Sequence, residues 1–149
     1  MSFNRENFEF SFEFFPPKND QGEEHLRNAV DELKPLEPAY CSVTFGAGGS
    51  TRERTFQTVD WLQREVGIEA VPHLSCIGSR KEDIREIVQR YHDEGIRRVI
   101  ALRGDIPEDE EAFKEGGFRY ANELVAYIKE NFPGFEVVVG AYPEFHPEA

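Results

Sequence analysis

Ionisable and polar side chains recur along the sequence at a nearly regular interval, each at or just after a short apolar stretch. Glu13, Thr44, His73, Asp105 and Tyr142 follow one another at separations of 31, 29, 32 and 37 residues. Such separations match the length of one strand-and-helix unit, and equivalent positions of successive parallel strands lie at the same sheet end. We therefore expect one site at the carboxyl ends of the strands.

Glu13 is the candidate general acid, because a carboxyl group kept protonated can donate a proton during catalysis. Nearby phenylalanines are expected to remove water from this carboxyl group, which favours its protonated form. Alternation along the stretch directs most of those rings to the opposite face. A solvated strand carboxylate is the alternative. The phenylalanines of the apolar parity are Phe8, Phe10, Phe12 and Phe14, and the polar parity holds Glu9, Ser11 and Glu13.

A second candidate is the sequence Arg103, Gly104 and Asp105, which follows an apolar stretch. Glycine allows the backbone to approach a ligand closely, and the two charged neighbours offer a cation and an anion. An ion pair between Arg103 and Asp105 without a ligand is the alternative.

Three other features carry weaker signals. The segment GAGGST at Gly46 to Thr51 resembles a phosphate-binding loop but lacks the glycine spacing of nucleotide-binding loops, so we interpret it as a glycine-shaped strand-to-helix loop. His25 and His92 lie in predicted helices and are interpreted as packing residues. No Cys or His pair has the spacing of metal ligands, so no metal site is expected.

Five short apolar stretches alternate with four helical patterns and thereby predict an α/β fold with a parallel sheet. Capping-box spacings at Asp20 with Glu23, Ser50 with Glu53, and Ser79 with Glu82 mark three helix starts. A fourth helix is predicted over Phe118 to Asn131, before Pro133 and Gly134. Because one face of the first strand is apolar and the other polar, a barrel fits better than an open sheet. The predicted strands are Phe10 to Phe15, Tyr40 to Phe45, Ala70 to Ser75, Val99 to Leu102 and Val137 to Ala141.

Length, net charge and cysteine content indicate what kind of protein this is and which partners are disfavoured. The 149 residues suffice for one domain spanning residues 1–149, and a formal charge of −12 disfavours nucleic acid and anionic membrane partners. Cys41 and Cys76 lie in apolar stretches, so reduced core thiols are expected. Neither a signal peptide nor a membrane-length apolar run is present in the sequence, and a cytoplasmic location is therefore expected.

Five segments in order resemble the signature segments of methylenetetrahydrofolate reductases. They are FSFEFFPPK at Phe10 to Lys18, SVTFGAGGSTRERT at Ser42 to Thr55, PHLSC at Pro72 to Cys76, ALRGDIP at Ala101 to Pro107 and AYPEFHPEA at Ala141 to Ala149. The resemblance implies a (β/α)₈ barrel that binds FAD, accepts hydride from NADH or NADPH, and reduces methylenetetrahydrofolate to methyltetrahydrofolate by a ping-pong mechanism.

The resemblance also implies roles for individual residues. Glu13 and Asp105 become the catalytic residues, with Asp105 near the flavin and the folate pterin. The positions matched to FAD contacts are Thr44, His73, Arg103, Gly104, Asp105, Tyr120, Ala121, Tyr142 and His146. A homo-oligomer is the expected assembly.

The chain supplies the first five strands and four helices of such a barrel, so the isolated 149 residues are expected to be inactive. Two other functions stay open from the residues alone. One is a flavin-free barrel lyase of the aldolase type that uses Glu13 and His73. The other is a non-catalytic half barrel that pairs with itself or with a partner.

Overall fold

The computed structural model describes residues 9–45, 49–105 and 117–141. By backbone contacts the chain divides into two compact units, Met1–Pro72 and His73–Ala149. Strand β3 (Ala70–Ser75) contains the boundary: its first residues pair with the preceding strand and its last residues with the following one. The single domain expected from the sequence stays a prediction.

The first unit contains β1 (Ser11–Phe14), α1 (Asp20–Leu33), β2 (Tyr40–Val43) and α2 (Gly49–Asp60). β1 and β2 are parallel, with Glu13 opposite Ser42. The buried side chains come from α1, from β2, from α2 and from the segment directly after α2. They include Val30, Val43, Phe56, Val59 and Leu62, none more than 4% exposed.

The second unit contains the end of β3, α3 (Lys81–Asp93), β4 (Arg98–Leu102), α4 (Ala121–Asn131) and β5 (Glu136–Val139). β4 pairs in parallel with both β3 and β5. Helices α3 and α4 contribute Ile84, Val88, Leu124 and Ile128 to the core, each fully buried. Helical spacing of three or four residues places these side chains on one face.

Five parallel strands in the order β1-β2-β3-β4-β5, with helices between them, confirm the predicted α/β class and match the first five strands and four helices of a (β/α)₈ barrel. Each predicted strand is present, and β3 has the predicted bounds. No helix in the described ranges has both the length and the apolar character needed to cross a bilayer.

The starts of α1 and α3 differ from the predicted capping boxes by one residue, and Ser50, the predicted cap of α2, lies inside that helix, which begins at Gly49. Asn19, not Asp20, caps α1, since its Oδ1 accepts a hydrogen bond from Gly22 N at 2.8 Å. Helix α3 begins after Arg80, whose backbone N donates to the Asp83 carboxylate at 2.9 Å, so the predicted pair Ser79 and Glu82 is wrong. Asn19 and Asp20 are adjacent residues that both suit an N-cap, and Glu82 and Asp83 are adjacent acids, so spacing alone does not identify the pair that is used.

The fourth helix is shorter than predicted. It begins at Ala121 rather than Phe118, because Glu123 accepts hydrogen bonds from the backbone N of Arg119 at 2.8 Å and of Tyr120 at 3.2 Å. Those backbone hydrogen bonds lower the pKa of the Glu123 carboxyl. Phe118 therefore lies before the helix, and its ring packs against that of Tyr127 with 5.2 Å between the ring centroids.

An unpredicted π-helical segment, Trp61–Val66, continues α2. It ends at Gly67, whose φ of 77° is readily adopted by glycine. Lys34 Nζ donates to the Val66 carbonyl at 2.7 Å, and Gln63 Oε1 accepts from Ala70 N at 2.9 Å. Both contacts join residues in different elements, so local periodicity did not reveal them.

Asn19→Ala is expected to weaken the start of α1 by about 1 kcal/mol, the usual cost of losing an N-cap. The Gly22 amide then loses its acceptor, and its hydrogen exchange accelerates severalfold. Hydrogen exchange of peptides covering α1 measures the effect. Asn28→Ala, at an exposed position inside the same helix, is the matched control and should not accelerate exchange. Equal exchange in both variants would contradict the capping role of Asn19.

Candidate active site

Glu13 lies at the carboxyl end of β1 and is exposed. Ser42, directly opposite it on β2, is only 4% exposed and donates from Oγ to Glu13 Oε2 at 3.4 Å. The contact is long for a hydrogen bond between two oxygen atoms, and it leaves an accessible side chain that can meet a substrate.

The predicted phenylalanine enclosure of Glu13 is wrong. Phe12 and Phe14 are half-buried while Ser11 and Glu13 are exposed, so the rings occupy the opposite face of β1. Phe15, the remaining neighbour, is 74% exposed. Strict alternation of a strand prevents adjacent side chains from surrounding each other, which is the physical reason for the correction.

Thr44 follows β2 and is held through its backbone on two sides. Its N donates to the Phe14 carbonyl at 3.0 Å, and its own carbonyl accepts from Thr55 Oγ1 at 3.2 Å. Thr55 is fully buried in α2 and also contacts the Thr51 carbonyl at 3.1 Å. Glu13, Ser42 and Thr44 therefore lie around the carboxyl ends of β1 and β2 in the first unit.

His73 lies on β3 opposite Ile100 of β4 and is 8% exposed. An imidazole can act as a hydrogen-bond donor at one nitrogen and as an acceptor at the other, which suits it to hold a polar ligand or a neighbouring backbone group. The structure thus places His73 in the second unit, within the strand rather than beyond its end.

Arg103, Gly104 and Asp105 form a turn directly after β4. Arg103 is half-buried, Asp105 is exposed, and Gly104 has a φ of 86°, in the left-handed region that favours glycine. The Arg103 carbonyl accepts from Ile77 N at 2.9 Å and from Ser75 Oγ at 3.0 Å. An ion pair between Arg103 and Asp105 stays an open alternative.

Tyr120 and Ala121 lie at the start of α4. Tyr120 is the N-cap residue and is 47% exposed, so its ring is accessible for stacking or hydrogen bonding. An antiparallel bridge between Gly117 and Arg80 joins this start to the start of α3. Lys81 also contacts the Phe118 ring, with Nζ 5.5 Å from its centroid.

The two remaining candidates, Tyr142 and His146, lie outside the described residues.

Cys41 and Cys76 are buried free thiols, as predicted, and burial raises the pKa of both. His25 and His92 lie in helices and are exposed, and the centroid of the His92 ring lies 6.3 Å from that of Phe135. Among the described residues, no group of three or more His, Cys, Asp or Glu is arranged to hold a metal ion.

Ser42, Ser75 and Thr55 are the site neighbours that the sequence did not single out. Each lies inside one of the signature segments. The hydroxyl group of each contacts a residue at least 11 positions away in the sequence. Contacts between residues this far apart follow from the tertiary fold and not from local sequence spacing. A serine on a buried strand next to a predicted catalytic position is the sequence signal for two of them.

The family model described as methylenetetrahydrofolate reductase matches residues 1–149. The chain belongs to the methylenetetrahydrofolate reductase family. The resemblance drawn from the five signature segments is thereby confirmed, and every described candidate residue falls within the matched range.

Relatives in bacteria and plants support the membership of this family. The chain is 45% identical over 141 residues to a 5,10-methylenetetrahydrofolate reductase of Pectobacterium carotovorum subsp. carotovorum, covering 93% of this chain and 45% of the relative. It is 42% identical over 139 residues to the Escherichia coli (strain K12) protein of the same name, with the same two coverages. A Zea mays methylenetetrahydrofolate reductase (NADH) 1 is 39% identical over 143 residues, which cover 94% of this chain and 24% of the relative.

The chain therefore spans about half the length of its bacterial relatives.

Proposed function

We propose that the chain contributes to an FAD-dependent methylenetetrahydrofolate reductase. In this proposal NADH or NADPH reduces the flavin, and the reduced enzyme then converts 5,10-methylenetetrahydrofolate to 5-methyltetrahydrofolate in a ping-pong sequence. The observation that carries the proposal is the family match across residues 1–149. Relatives with the reductase name and 39–45% identity support it.

The chemistry of the available donors fits FAD, which when bound supplies hydride transfer. Arg103 offers a guanidinium group to an anionic dinucleotide, Thr44 a hydroxyl and His73 an imidazole. Gly104 contributes only backbone between Arg103 and Asp105, in the positive-φ conformation that glycine readily adopts. The residues proposed to hold FAD are Thr44, His73, Arg103, Gly104, Asp105, Tyr120 and Ala121, together with Tyr142 and His146 outside the described ranges.

Glu13 is the proposed proton donor. Opening the methylene bridge of the folate needs protonation to give an electrophilic iminium, and an accessible carboxyl group at a strand end can supply it. Exposure of Glu13 supports contact with substrate, and the Ser42 hydroxyl contact holds its position on one side.

The partners and location in this proposal are a folate substrate, a nicotinamide donor, a homo-oligomeric assembly and the cytoplasm. The maize relative has NADH in its name. For this chain both NADH and NADPH are proposed donors, and steady-state turnover with each distinguishes them.

The test uses the full-length protein that carries these 149 residues. A flavin absorbance spectrum and NAD(P)H oxidation that depends on methylenetetrahydrofolate are the expected results. A colourless protein that FAD does not reconstitute, but that cleaves a carbon–carbon bond in an aldol substrate, would replace the proposal with the flavin-free lyase.

Asp105→Asn is expected to raise the reduction potential of bound flavin on the order of 30 mV, about 1.4 kcal/mol for a two-electron couple, because a nearby negative charge disfavours the more anionic reduced form. Folate binding should weaken while FAD stays bound. Spectroelectrochemical titration measures the potential. Asp93→Asn removes an equally negative, exposed carboxylate from α3 and serves as the control. An unchanged potential in Asp105→Asn would place that carboxylate far from the flavin.

A further inference from the structure

The backbone carbonyl of Arg103 accepts hydrogen bonds from three consecutive residues, the last of β3 and the two that follow it. Ile77 N donates to it at 2.9 Å, Ser75 Oγ at 3.0 Å and Cys76 Sγ at 3.4 Å. Cys76 N also donates to the Leu102 carbonyl at 3.1 Å. Pairing between the two chain segments thus continues beyond the last ladder pair, Ser75 with Leu102, into the turn.

Ser75 also fills the space beside Gly104. A Cβ added at Gly104 would collide with Ser75 Oγ and would lie 3.3 Å from Ser75 Cβ. The φ of 86° at Gly104 further disfavours any side chain there. Glycine at position 104 and serine at position 75 are therefore complementary in shape, and the seryl hydroxyl occupies the volume that other residues give to Cβ.

This arrangement restrains the turn at the Arg103–Gly104 peptide. Its carbonyl accepts hydrogen bonds from residues at the end of β3, and Ser75 occupies the space into which a Cβ at position 104 would project. Arg103 and Asp105 flank this point, so a rotation of the turn would move both charged side chains.

We propose that Ser75 is a positioning residue for the active site, acting through the Arg103–Asp105 turn and not by contact with substrate. The proposal rests on the proposed function, because it takes Arg103 and Asp105 to be the residues that meet the flavin. The Ser75 hydroxyl donates its proton to the protein backbone, which distinguishes it from a group that serves as a catalytic acid or base.

The first experiment compares Ser75→Ala with Ser75→Thr in the full-length protein. Loss of one hydroxyl-to-carbonyl bond should raise the Kd for FAD about fivefold to tenfold in Ser75→Ala, whereas Ser75→Thr should stay within about twofold. Thr58→Val is the matched control, because Thr58 Oγ1 donates to the Arg54 carbonyl at 2.8 Å inside α2, and it should leave the Kd unchanged.

The second measurement needs no flavin. The Ile77 amide shares the Arg103 carbonyl with Ser75, so Ser75→Ala should accelerate its hydrogen exchange, while Ser75→Thr and Thr58→Val should not. Equal exchange of the Ile77 amide in Ser75→Ala and in the parent protein would contradict the proposal that Ser75 holds the turn in position.

A double-mutant cycle tests the fit between the two side-chain positions. Gly104→Ala should be strongly destabilising alone and distinctly less so in combination with Ser75→Ala, because the colliding Oγ is then gone. Losses of thermal stability that simply add would contradict the coupling.

These results separate the inference from the function on which it rests. A parent protein that binds no FAD would reject the proposed function, while Ile77 exchange and the cycle would still decide whether Ser75 holds the turn. A parent protein that binds FAD, with an unchanged Kd in Ser75→Ala, would reject the positioning role alone.

Discussion

Glu13→Gln is expected to slow reduction of methylenetetrahydrofolate by about 10²- to 10⁴-fold, the usual contribution of a general acid, while leaving reduction of the flavin by NAD(P)H close to its original rate. Only the folate half-reaction needs a proton at the methylene bridge. Glutamine preserves the size of the side chain and its capacity to accept from Ser42 Oγ, but it has no acidic proton.

Stopped-flow measurement of the two half-reactions in the full-length protein tests this expectation. Glu9→Gln is the matched control, since Glu9 is another exposed carboxylate of the same strand parity, four residues away. It should change neither half-reaction. A parallel fall of both half-reactions in Glu13→Gln would instead assign Glu13 to flavin binding or to structure.

Ser42→Ala removes the contact that positions the Glu13 carboxyl group but leaves the acid itself in place. Because the Ser42 contact is long, at 3.4 Å, its removal should cost the folate half-reaction much less than the loss of the Glu13 acid. A loss as large as that in Glu13→Gln would mean that Ser42 itself takes part in proton transfer.

Strand positions were predictable from the sequence. In a chain that alternates strands and helices, a short apolar run bounded by turn residues forms a buried strand in most cases. The β3 stretch, all but its last residue buried, is the clearest case, and its predicted bounds were correct. The alternation of exposed and half-buried residues along β1 was also readable, since a strand has a side-chain period of two.

Helix starts were less predictable, because a cap is chosen by backbone geometry among several competent neighbours. Asn19 and Asp20 are both good N-cap residues, and only the observed bond from Gly22 N shows which one is used. The π-helical segment after α2 depends on Lys34 and Gln63 contacts with other elements, which no local pattern encodes.

Candidate site residues were found as strand-end residues, but their surroundings were not. The sequence placed Glu13, Thr44 and Arg103 correctly at or just beyond strands, whereas the exposure of Glu13 contradicted the expected phenylalanine enclosure. The support given by Ser75 to the Arg103 carbonyl arises from pairing of residues 28 positions apart. Such contacts depend on register, which is set by the whole sheet.

The isolated chain of 149 residues is expected to show no reductase turnover, to bind FAD weakly or not at all, and to self-associate. Among the described residues β1 pairs only with β2, and β5 only with β4, so each has an edge with unpaired backbone groups. Phe15 beside β1 is 74% exposed and Val139 at the end of β5 is 55% exposed. In a closed barrel, later strands would cover both edges.

The expected size of the effect follows from the apolar area left in water. At about 25 cal/mol per Å², roughly 300 Å² of uncovered apolar surface costs about 7.5 kcal/mol, comparable with the whole stability of a domain. Association of exposed edges recovers part of this free energy. The formal charge of −12 opposes association through repulsion, so self-association should increase as salt screens the charge.

Light scattering across a salt series, combined with flavin absorbance and a turnover assay, tests the three expectations together. The full-length protein is the control and should be a defined oligomer that retains FAD. In the proposed reductase, residues beyond these 149 also contact FAD. The isolated chain has none of them, so its affinity for FAD should be reduced even where Thr44 and Arg103 keep their positions. A monodisperse monomer that holds one FAD per chain at every salt concentration would contradict both the barrel assignment and the proposed division of the cofactor site.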